Sequence, residues 1–253
     1  MTPEFGTPRT AIVTGGARRI GAELSRALSV DGWHVLIHCS SSVAQAQALA
    51  AELGNARTVA ADLSREDCAE PIFAALEGMP PPALLVNNAS RFAFDSLDDF
   101  NLDGWAAHLD VNARAPLLLT RAFAQALSAG QGGLVVNMLD AKLAFPNPDF
   151  LTYTLSKMML AGITELTGRA LAGRGIRVCG IAPSVTLASG LQTRENFDAV
   201  HRLNALGRGV AVDDVVAALR YVIAAPTLTG QTIFLDGGQR FLGLGRDVQF
   251  LNG

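Results

Sequence analysis

Short apolar segments alternate with longer helix-favouring segments along the whole chain, and this alternation limits the possible folds more than any other feature. The segments between the apolar runs predict helices, the clearest at 44–53, 65–77, 194–205 and 213–224, and a long helical region that ends near 128 and is kinked by Pro116. Strands that alternate with helices form a parallel, doubly wound sheet with helices on both faces. We therefore expect an α/β fold with one seven-stranded parallel sheet, whose strands lie at 10–14, 33–38, 58–61, 83–86, 134–139, 176–182 and 232–235.

The composition restricts the partners of the protein. Its 253 residues are 49% hydrophobic and only 17% charged, which predicts one domain over 1–253 and further burial of apolar surface between subunits. The net charge of −3 gives no support to nucleic-acid binding. No segment predicts a signal peptide or a membrane span.

Neither the cysteines nor the histidines have the spacing of a metal site. Cys39, Cys68 and Cys179 form no C-x-x-C pair and are odd in number, which is typical of a reduced, cytoplasmic protein. We expect no metal, because the four histidines show no ligand spacing either: His34, His38, His108 and His201.

Two groups near the middle of the chain carry the predicted chemistry. Tyr153 and Lys157 are four positions apart, so on a helix their side chains lie on one face. An ammonium beside a phenol favours the phenolate, and we expect Lys157 to lower the pKa of Tyr153 below its reference of about 10, making Tyr153 a proton donor near neutral pH. Asp140 directly follows the strand at 134–139, and open α/β sheets place their chemistry at strand ends.

A glycine-rich turn follows the first strand and precedes a helix. Such a turn directs helix N-terminal amides at a pyrophosphate, although an ordinary β-α turn is the alternative. The end of the second strand separates NAD from NADP, because an NAD enzyme has Asp or Glu there to bind the ribose hydroxyls. This chain has no acid after that strand until Glu52. The charge of Arg18 and the serine hydroxyls instead suit a 2′-phosphate, which predicts NADP(H) bound to a Rossmann fold.

The combined motifs resemble the short-chain dehydrogenase/reductase superfamily over essentially the whole chain. In that family the tyrosine is the acid/base, the lysine binds the nicotinamide ribose and lowers the tyrosine pKa, and an asparagine supports a proton relay. The resemblance implies these roles for Tyr153, Lys157 and Asn112, and it implies a homotetramer with the Tyr153 helix at one interface. The motifs are Thr14-Gly15 to Gly21, Asp62-Leu63, Asn87-Asn88-Ala89, Asn112 and Tyr153-x-x-x-Lys157.

The cofactor contacts that we expect combine the turn, the end of the second strand and the family motifs. The family places Asp62 and Leu63 beside the adenine and Asn88 and Ala89 beside the ribose. The full expected set is Gly15, Arg18, Arg19, Ile20, Gly21, His38, Ser40, Ser41, Ser42, Asp62, Leu63, Asn88, Ala89, Ser90, Pro183 and Thr186.

Three departures from the usual family pattern together resemble the pteridine reductase branch. Arg19 replaces the middle glycine of the turn, Asp140 replaces a serine thirteen residues before the tyrosine, and Ser90 replaces the last glycine of N-N-A-G, with Phe92 two residues later. In that branch the arginine reaches cofactor phosphate and pterin, the Asp partners the Tyr, the Ser contacts cofactor and substrate, and the Phe stacks on the pterin ring. The substrate set implied is Arg19, Ser90, Phe92, Tyr153 and Leu187.

Each departure also has a plainer interpretation. Arg19 can be a helix-surface arginine, Phe92 a core residue, and Asp140 an inert loop residue in a decayed site. The chemistry favours the resemblance, because an ionised carboxylate cannot donate to a forming alkoxide and would repel it, whereas it favours a protonated C=N bond. We therefore expect Asp140 and Tyr153 to titrate as a pair that shares one proton.

The expected function is NADPH-dependent reduction of a dihydropterin or dihydrofolate. The alternatives are a carbonyl reductase or alcohol dehydrogenase of the same superfamily, and a non-catalytic NADP(H)-binding sensor. The loop at 186–193 is expected to cover the substrate. The apolar tail at 239–251 is expected to pack on a neighbouring subunit.

Overall fold

The structure, a computed structural model, describes residues 5–188 and 192–251, and this part of the chain contains one sheet of seven parallel strands. The strand order is β3-β2-β1-β4-β5-β6-β7, so the direction of winding reverses between β1 and β4. Doubly wound sheets open a ligand crevice at this switch point. The expected α/β Rossmann-type fold is confirmed. The strands are β1 Thr10–Val13, β2 His34–Cys39, β3 Ala56–Ala60, β4 Pro82–Asn87, β5 Gly133–Met138, β6 Ile176–Pro183 and β7 Thr232–Leu235.

Helices cover both faces of the sheet, and the side chains of the central strands alternate between two cores. Val13 packs in one core and Ile12 in the other, as the period of two along a strand requires. The first core includes side chains of α1, α2 and α8, and the second includes side chains of α3 and α5. The helices are α1 Arg19–Val30, α2 Val43–Leu53, α3 Ala69–Ala74, α4 Leu102–Leu109, α5 Ala115–Ala126, α6 Leu151–Leu171, α7 Arg194–Val200 and α8 Val212–Ala224.

Two helices are shorter than predicted because local hydrogen bonds compete with them. The expected helix 65–77 is reduced to α3, since Ser64 donates to Asp62 from both its amide and its hydroxyl and holds a turn there. The expected helix 194–205 ends at Val200, and beyond it Asn204 Oδ1 accepts from the amides of Leu206 (3.1 Å) and Arg208 (3.3 Å).

The long helical region before β5 changes geometry in its middle. A π turn, Asp110–Arg114, separates α4 from α5. Pro116 lies two residues after the turn and lacks the amide that an α-helix would pair with the carbonyl of Asn112. The π turn therefore carries Asn112, one of the predicted catalytic residues.

Short 3₁₀ turns complete the structure at Ala141–Ala144, Ala172–Arg174, Gln239–Leu242 and Val248–Phe250. All three cysteines are buried and free, and the cytoplasmic setting inferred from them stays a prediction. In the described part of the chain, no helix combines the length and apolar character needed to span a bilayer.

Candidate active site

A cleft of about 1090 Å³ brings together all but one of the predicted site residues. It is lined by the glycine turn, the ends of β2, β4, β5 and β6, and the start of α6. The exception is Asn112, which is completely buried behind the lining. The cleft includes Thr186 and Leu187 of the loop expected to cover the substrate, whereas Ser189 and Gly190 of that loop lie outside the described residues.

The hydroxyl of Thr14 fixes the glycine turn to the strand beside it. Its Oγ1 accepts from the amides of Asn88 (2.9 Å) and Ala89 (3.0 Å). The side chain of Asn88 returns two bonds, to the carbonyls of Thr14 (2.8 Å) and Gly15 (3.3 Å). This reciprocal set positions two of the predicted cofactor motifs against each other at the switch point of the sheet.

Two backbone features show why the turn contains glycine at Gly21 and how it tolerates arginine at Arg19. A Cβ at Gly21 would lie 2.2 Å from the carbonyl oxygen of Gly15, so only glycine fits. Arg19 occupies the left-handed region with φ of 54°, a conformation that glycine adopts more easily. Its guanidinium donates to the carbonyl of Ala188 at 2.8 Å, which joins the turn to the loop across the cleft.

His38 supports the turn through both ring nitrogens. The amide of Gly15 donates to Nδ1 (3.2 Å), so Nε2 carries the proton and donates to the carbonyl of Ala61 (3.0 Å). Burial lowers the pKa of His38, partly opposed by the bond to Ala61. His38 lines the cleft as predicted, but as a neutral ring whose nitrogens are already engaged.

The electrostatics of the turn suit a phosphorylated cofactor. The N-cap of α1 has no side-chain hydrogen bond, and its first turn has no acidic residue, so its amides remain available to an anion. Arg18, an exposed cation, lines the cleft together with the hydroxyl-bearing residues Ser40, Ser41 and Ser42 at the end of β2. This donor set, with the glycine at Gly21, fits a dinucleotide that carries a 2′-phosphate.

Asp140 and Tyr153 form a direct hydrogen bond at the centre of the cleft. The phenol of Tyr153 donates to Asp140 Oδ2 at 2.7 Å, while Oδ1 of the same carboxylate accepts from the amide of Lys142 at 2.8 Å. Tyr153 is 7% exposed. The carboxylate is therefore held by the 3₁₀ turn after β5, with one oxygen aimed at the tyrosine of α6.

The expectation that Lys157 lowers the pKa of Tyr153 is wrong. Burial, the charge of Asp140, the hydrogen bond to Asp140 and the charge of Asp247 all raise the pKa of Tyr153 well above 10. Lys157 Nζ lies 5.8 Å from the centre of the tyrosine ring and donates instead to the carbonyl of Met138 at 2.8 Å. The phenol therefore holds its proton firmly, in the state that a proton donor requires.

Lys157 is itself a perturbed group. It is 3% exposed, and burial lowers its pKa from 10.5 to about 8, against a smaller opposing effect of Asp140. Perturbed groups of this kind cluster at functional sites.

The side chain of Asn112 connects the loop after β4 to the tyrosine helix. Its Oδ1 accepts from the amide of Arg91 (2.8 Å) and the hydroxyl of Ser90 (3.2 Å). Its Nδ2 donates to the carbonyl of Arg91 (2.9 Å) and to the hydroxyl of Ser156 (2.9 Å). The amide is thus fully engaged, and its geometry is that of a positioning residue.

Phe92 lies in an aromatic cluster beside the catalytic pair. Its ring stacks on Phe150 with centroids 4.4 Å apart and meets Tyr153 edge-to-face at 4.7 Å. Phe92 is only half-buried and also lines the cleft. It therefore both packs internally and presents apolar surface to a bound ring.

Part of the tail packs on its own chain, and its expected contact with a neighbouring subunit stays a prediction. The buried carboxylate of Asp149 accepts from Arg246 Nε (2.8 Å) and from the amide of Asp247 (2.7 Å). Phe250 stacks on Phe150 with centroids 5.9 Å apart. Lys142 donates to the carbonyl of Asp149 and pairs with Asp247 at 3.4 Å. Phe241, which is 70% exposed, remains available for contact with another subunit.

The sequence analysis missed this second set of polar residues around the cleft. Lys142 and Asn147 follow Asp140 closely in the chain, and their proximity to a predicted catalytic residue was an available signal. The pairing of Asp149 with Arg246 joins residues 97 positions apart, and no local pattern indicates it.

Comparisons with known proteins agree with this geometry. The model of the short chain dehydrogenase family matches residues 9–199. The solved structure of FolM alternative dihydrofolate reductase 1 from Brucella canis, complexed with NADP, is 37% identical with a TM-score of 0.90, over 94% of this chain and 96% of that one. Pteridine reductase 1 of Leishmania tarentolae is 31% identical over 92% of this chain and 96% of its own length.

A relative named for another substrate is almost as similar. The 3-oxoacyl-[acyl-carrier-protein] reductase of Synechocystis is 28% identical over 92% of this chain and 97% of its own length. The expected likeness to pteridine reductases is nevertheless confirmed by the two proteins above. With most of its length matched by the family model, the chain belongs to the short-chain dehydrogenase family.

Proposed function

We propose that this protein is an NADPH-dependent reductase that converts a C=N bond of a dihydropterin or dihydrofolate to the tetrahydro form. The observation that carries the proposal is the 2.7 Å hydrogen bond from Tyr153 to Asp140. A reductase of ketones benefits at this position from a hydroxyl donor that stabilises an alkoxide. A carboxylate accepts but does not donate, and it stabilises a protonated C=N group instead.

The proton that completes the reduction comes from the coupled pair. When bound in the cleft, NADPH would supply the hydride for the carbon of the C=N bond. Tyr153 holds the proton destined for the nitrogen, and Asp140 receives the hydrogen bond of the phenol and keeps it oriented. Because the pKa of Tyr153 is raised, the phenol stays protonated until the nitrogen becomes basic.

The residues of the turn support NADP(H) as the cofactor. Arg18 and the serines after β2 offer donors for a 2′-phosphate, and the N-terminus of α1 offers amides for the pyrophosphate. The Brucella structure was solved with NADP. We assign the remaining cleft residues to the roles that the family resemblance implies, and we assign Asn112, buried behind the cleft, to positioning the loop after β4.

Phe92, Ser90, Arg19 and Leu187 are proposed to contact the substrate. All four line the cleft, and the exposed edge of the aromatic cluster beside Tyr153 suits a flat heterocycle.

We further propose a homotetramer. The large apolar side chains that α5 and α6 leave exposed are too many for an isolated surface: Leu117, Met158, Met159 and Leu166 are 44%, 40%, 49% and 69% exposed. Light scattering at micromolar concentration should give the mass of four chains, and a stable monomer would refute this assembly.

The reductase proposal is tested by NADPH oxidation with dihydrobiopterin, dihydromonapterin, dihydrofolate and several ketones. We expect the protein to turn over a pterin. The rate should fall about 10²- to 10⁴-fold in Tyr153→Phe and should be lost in Asp140→Ser. Ketone turnover with no pterin turnover would establish the carbonyl reductase instead. Tight NADPH binding without turnover of any compound would identify the sensor.

A further inference from the structure

His108 is a buried titratable group that the proposed reaction does not use. It lies near the end of α4 and is 1% exposed. Its ring centroid lies 6.2 Å from that of Tyr153. A polar ring buried this deeply needs partners for both nitrogens, and the partners that it has lie next to Phe92 and Tyr153 in the chain.

The two ring nitrogens of His108 have different partners. The amide of Ala93 donates to Nε2 at 3.2 Å, and Nδ1 lies 2.7 Å from Thr152 Oγ1. The hydroxyl of Thr152 gives its one proton to Asp95 Oδ2, so it accepts from His108. Both contacts therefore require the same tautomer, with the proton on Nδ1 and an acceptor at Nε2.

The charge state of His108 agrees with this tautomer. Burial lowers the pKa of His108; the charge of Asp95 opposes this effect, and the charge of Arg91 adds to it. The ring is therefore neutral near pH 7, as an acceptor at Nε2 requires. Asp95 is itself held at the start of α6, where its carboxylate accepts from the amide of Thr152 at 3.0 Å.

The segment 91–93 carries Phe92 and is fixed on both sides of it. Asn112 binds the backbone of Arg91 through two hydrogen bonds, of 2.8 Å and 2.9 Å, and His108 binds the amide of Ala93. Phe92 lies between these two attachments and meets Tyr153 edge-to-face at 4.7 Å. Loss of the bond to Ala93 would release one end of the segment.

We infer that His108 is a positioning residue, which binds the amide of Ala93 and so holds the ring of Phe92 in its place beside Tyr153. The inference rests on the proposed function, in which Phe92 contacts a flat substrate. His108 does not line the main cleft, so it acts on the substrate through Phe92. Its loss should therefore raise KM and leave kcat almost unchanged.

Two substitutions of His108 separate its two contacts. His108→Gln keeps an acceptor at the distance of Nε2 from the backbone, so the amide of Ala93 stays bound. His108→Asn keeps a donor at the distance of Nδ1 for Thr152, but its shorter side chain does not reach Ala93. The difference between the variants thus isolates the contact with Ala93.

The assay is NADPH oxidation with each compound among dihydrobiopterin, dihydromonapterin and dihydrofolate that the unmodified protein reduces. His108→Asn should raise KM about 5- to 20-fold with kcat within about twofold, and His108→Gln should change KM by less than about twofold. Equal increases of KM in the two variants would show a merely structural role and would overturn the inference.

A double substitution tests whether the effect passes through Phe92. Phe92→Leu removes the aromatic ring and keeps an apolar side chain. In that background His108→Asn should raise KM by less than about twofold, because no ring is left to position. The same increase in both backgrounds would show that His108 acts elsewhere, and the inference would be dropped.

Thr152 provides a test that leaves the histidine in place and decides the matter if His108→Asn does not fold. Thr152→Val removes the hydroxyl that fixes the tautomer, so the ring can carry its proton on Nε2, facing the amide of Ala93. KM should rise about 2- to 5-fold. The matched control is Thr152→Ser, which keeps the hydroxyl, and equal KM values in the two variants would contradict the inference.

Amide hydrogen exchange measures the contact without any substrate. The amide of Ala93 should exchange about tenfold faster in His108→Asn than in the unmodified protein, and at an unchanged rate in His108→Gln. Equal rates in the two variants would refute the contact on which the inference depends.

The outcomes distinguish this inference from the proposed function. If the unmodified protein reduces a dihydropterin and the two His108 variants have the same KM, the inference fails and the reductase proposal stands. If the unmodified protein reduces none of the three compounds, the reductase proposal fails, and the role of His108 in substrate binding fails with it.

Discussion

Burial of the charged Lys157 side chain lowers the free energy of unfolding of the protein. A single substitution that removes the charge should restore this stability. The lowering of its pKa from 10.5 to about 8 corresponds to roughly 3 kcal/mol at neutral pH, at about 1.4 kcal/mol for each pH unit. Lys157→Met keeps the aliphatic chain and removes the ammonium. It also leaves the carbonyl of Met138 without its 2.8 Å donor, which costs about 1 kcal/mol. The variant should therefore be about 2 kcal/mol more stable than the unmodified protein at pH 7.

The sign of the pH dependence follows from the lowered pKa. Between pH 8 and 10.5 the unfolded chain still binds the lysine proton and the folded chain releases it, so the unmodified protein gains stability as pH rises through this window. The advantage of Lys157→Met is greatest below pH 8 and should disappear by about pH 10.5.

Urea denaturation at fixed protein concentration, followed by tryptophan fluorescence at pH 7 and pH 10, measures both effects. Arg169→Met is the control, because it removes an exposed cation from the same helix and should change the free energy of unfolding by less than about 0.5 kcal/mol. A variant no more stable than the unmodified protein at pH 7, or an advantage that persists at pH 10, would refute the reasoning. The same variant should lose NADPH oxidation.

Three further predictions concern the cofactor end of the cleft. Arg19→Gly should stabilise the protein by about 1 kcal/mol, because φ of 54° suits glycine, while weakening NADPH binding; a lower melting temperature would contradict this. Gly21→Ala should abolish NADPH binding in a titration, because its Cβ would lie 2.2 Å from the Gly15 oxygen, and retained affinity would show that the turn can shift. Activity should decline above pH 8, where Lys157 loses its charge, and a flat profile to pH 10 would exclude a role for the ammonium.

The fold and the reacting group could be predicted because their signals are local. The alternation of side chains along a strand, and the spacing that places Tyr153 and Lys157 on one face of a helix, can each be recognised from a few neighbouring residues. Asp140 and Tyr153 are only thirteen residues apart, and their contact follows because the 3₁₀ turn after β5 leads directly to the start of α6.

Other features depend on distances that no local pattern contains. Whether the pKa of Tyr153 is raised or lowered depends on the position of the Lys157 ammonium, which can lie beside the phenol or bind the carbonyl of Met138. Side-chain packing determines which of these two positions it takes. The packing of the tail depends on an aspartate and an arginine nearly one hundred positions apart. The lengths of α3 and α7 depend on turn hydrogen bonds that end helices earlier than their composition suggests.

The π turn before Pro116 has a consequence for the evolution of this chain by insertion and deletion. Successive side chains of an α-helix point in directions about 100° apart around the helix axis. A π turn contains one residue more than an α turn. Deleting one residue between 110 and 114 would remove the extra residue of the turn and would rotate the side chains on one side of the deletion, so Asn112 and Ser156 would no longer keep their present angular relation. The register of the two helices around the catalytic tyrosine thus requires a fixed number of residues in this turn, even though its backbone is irregular.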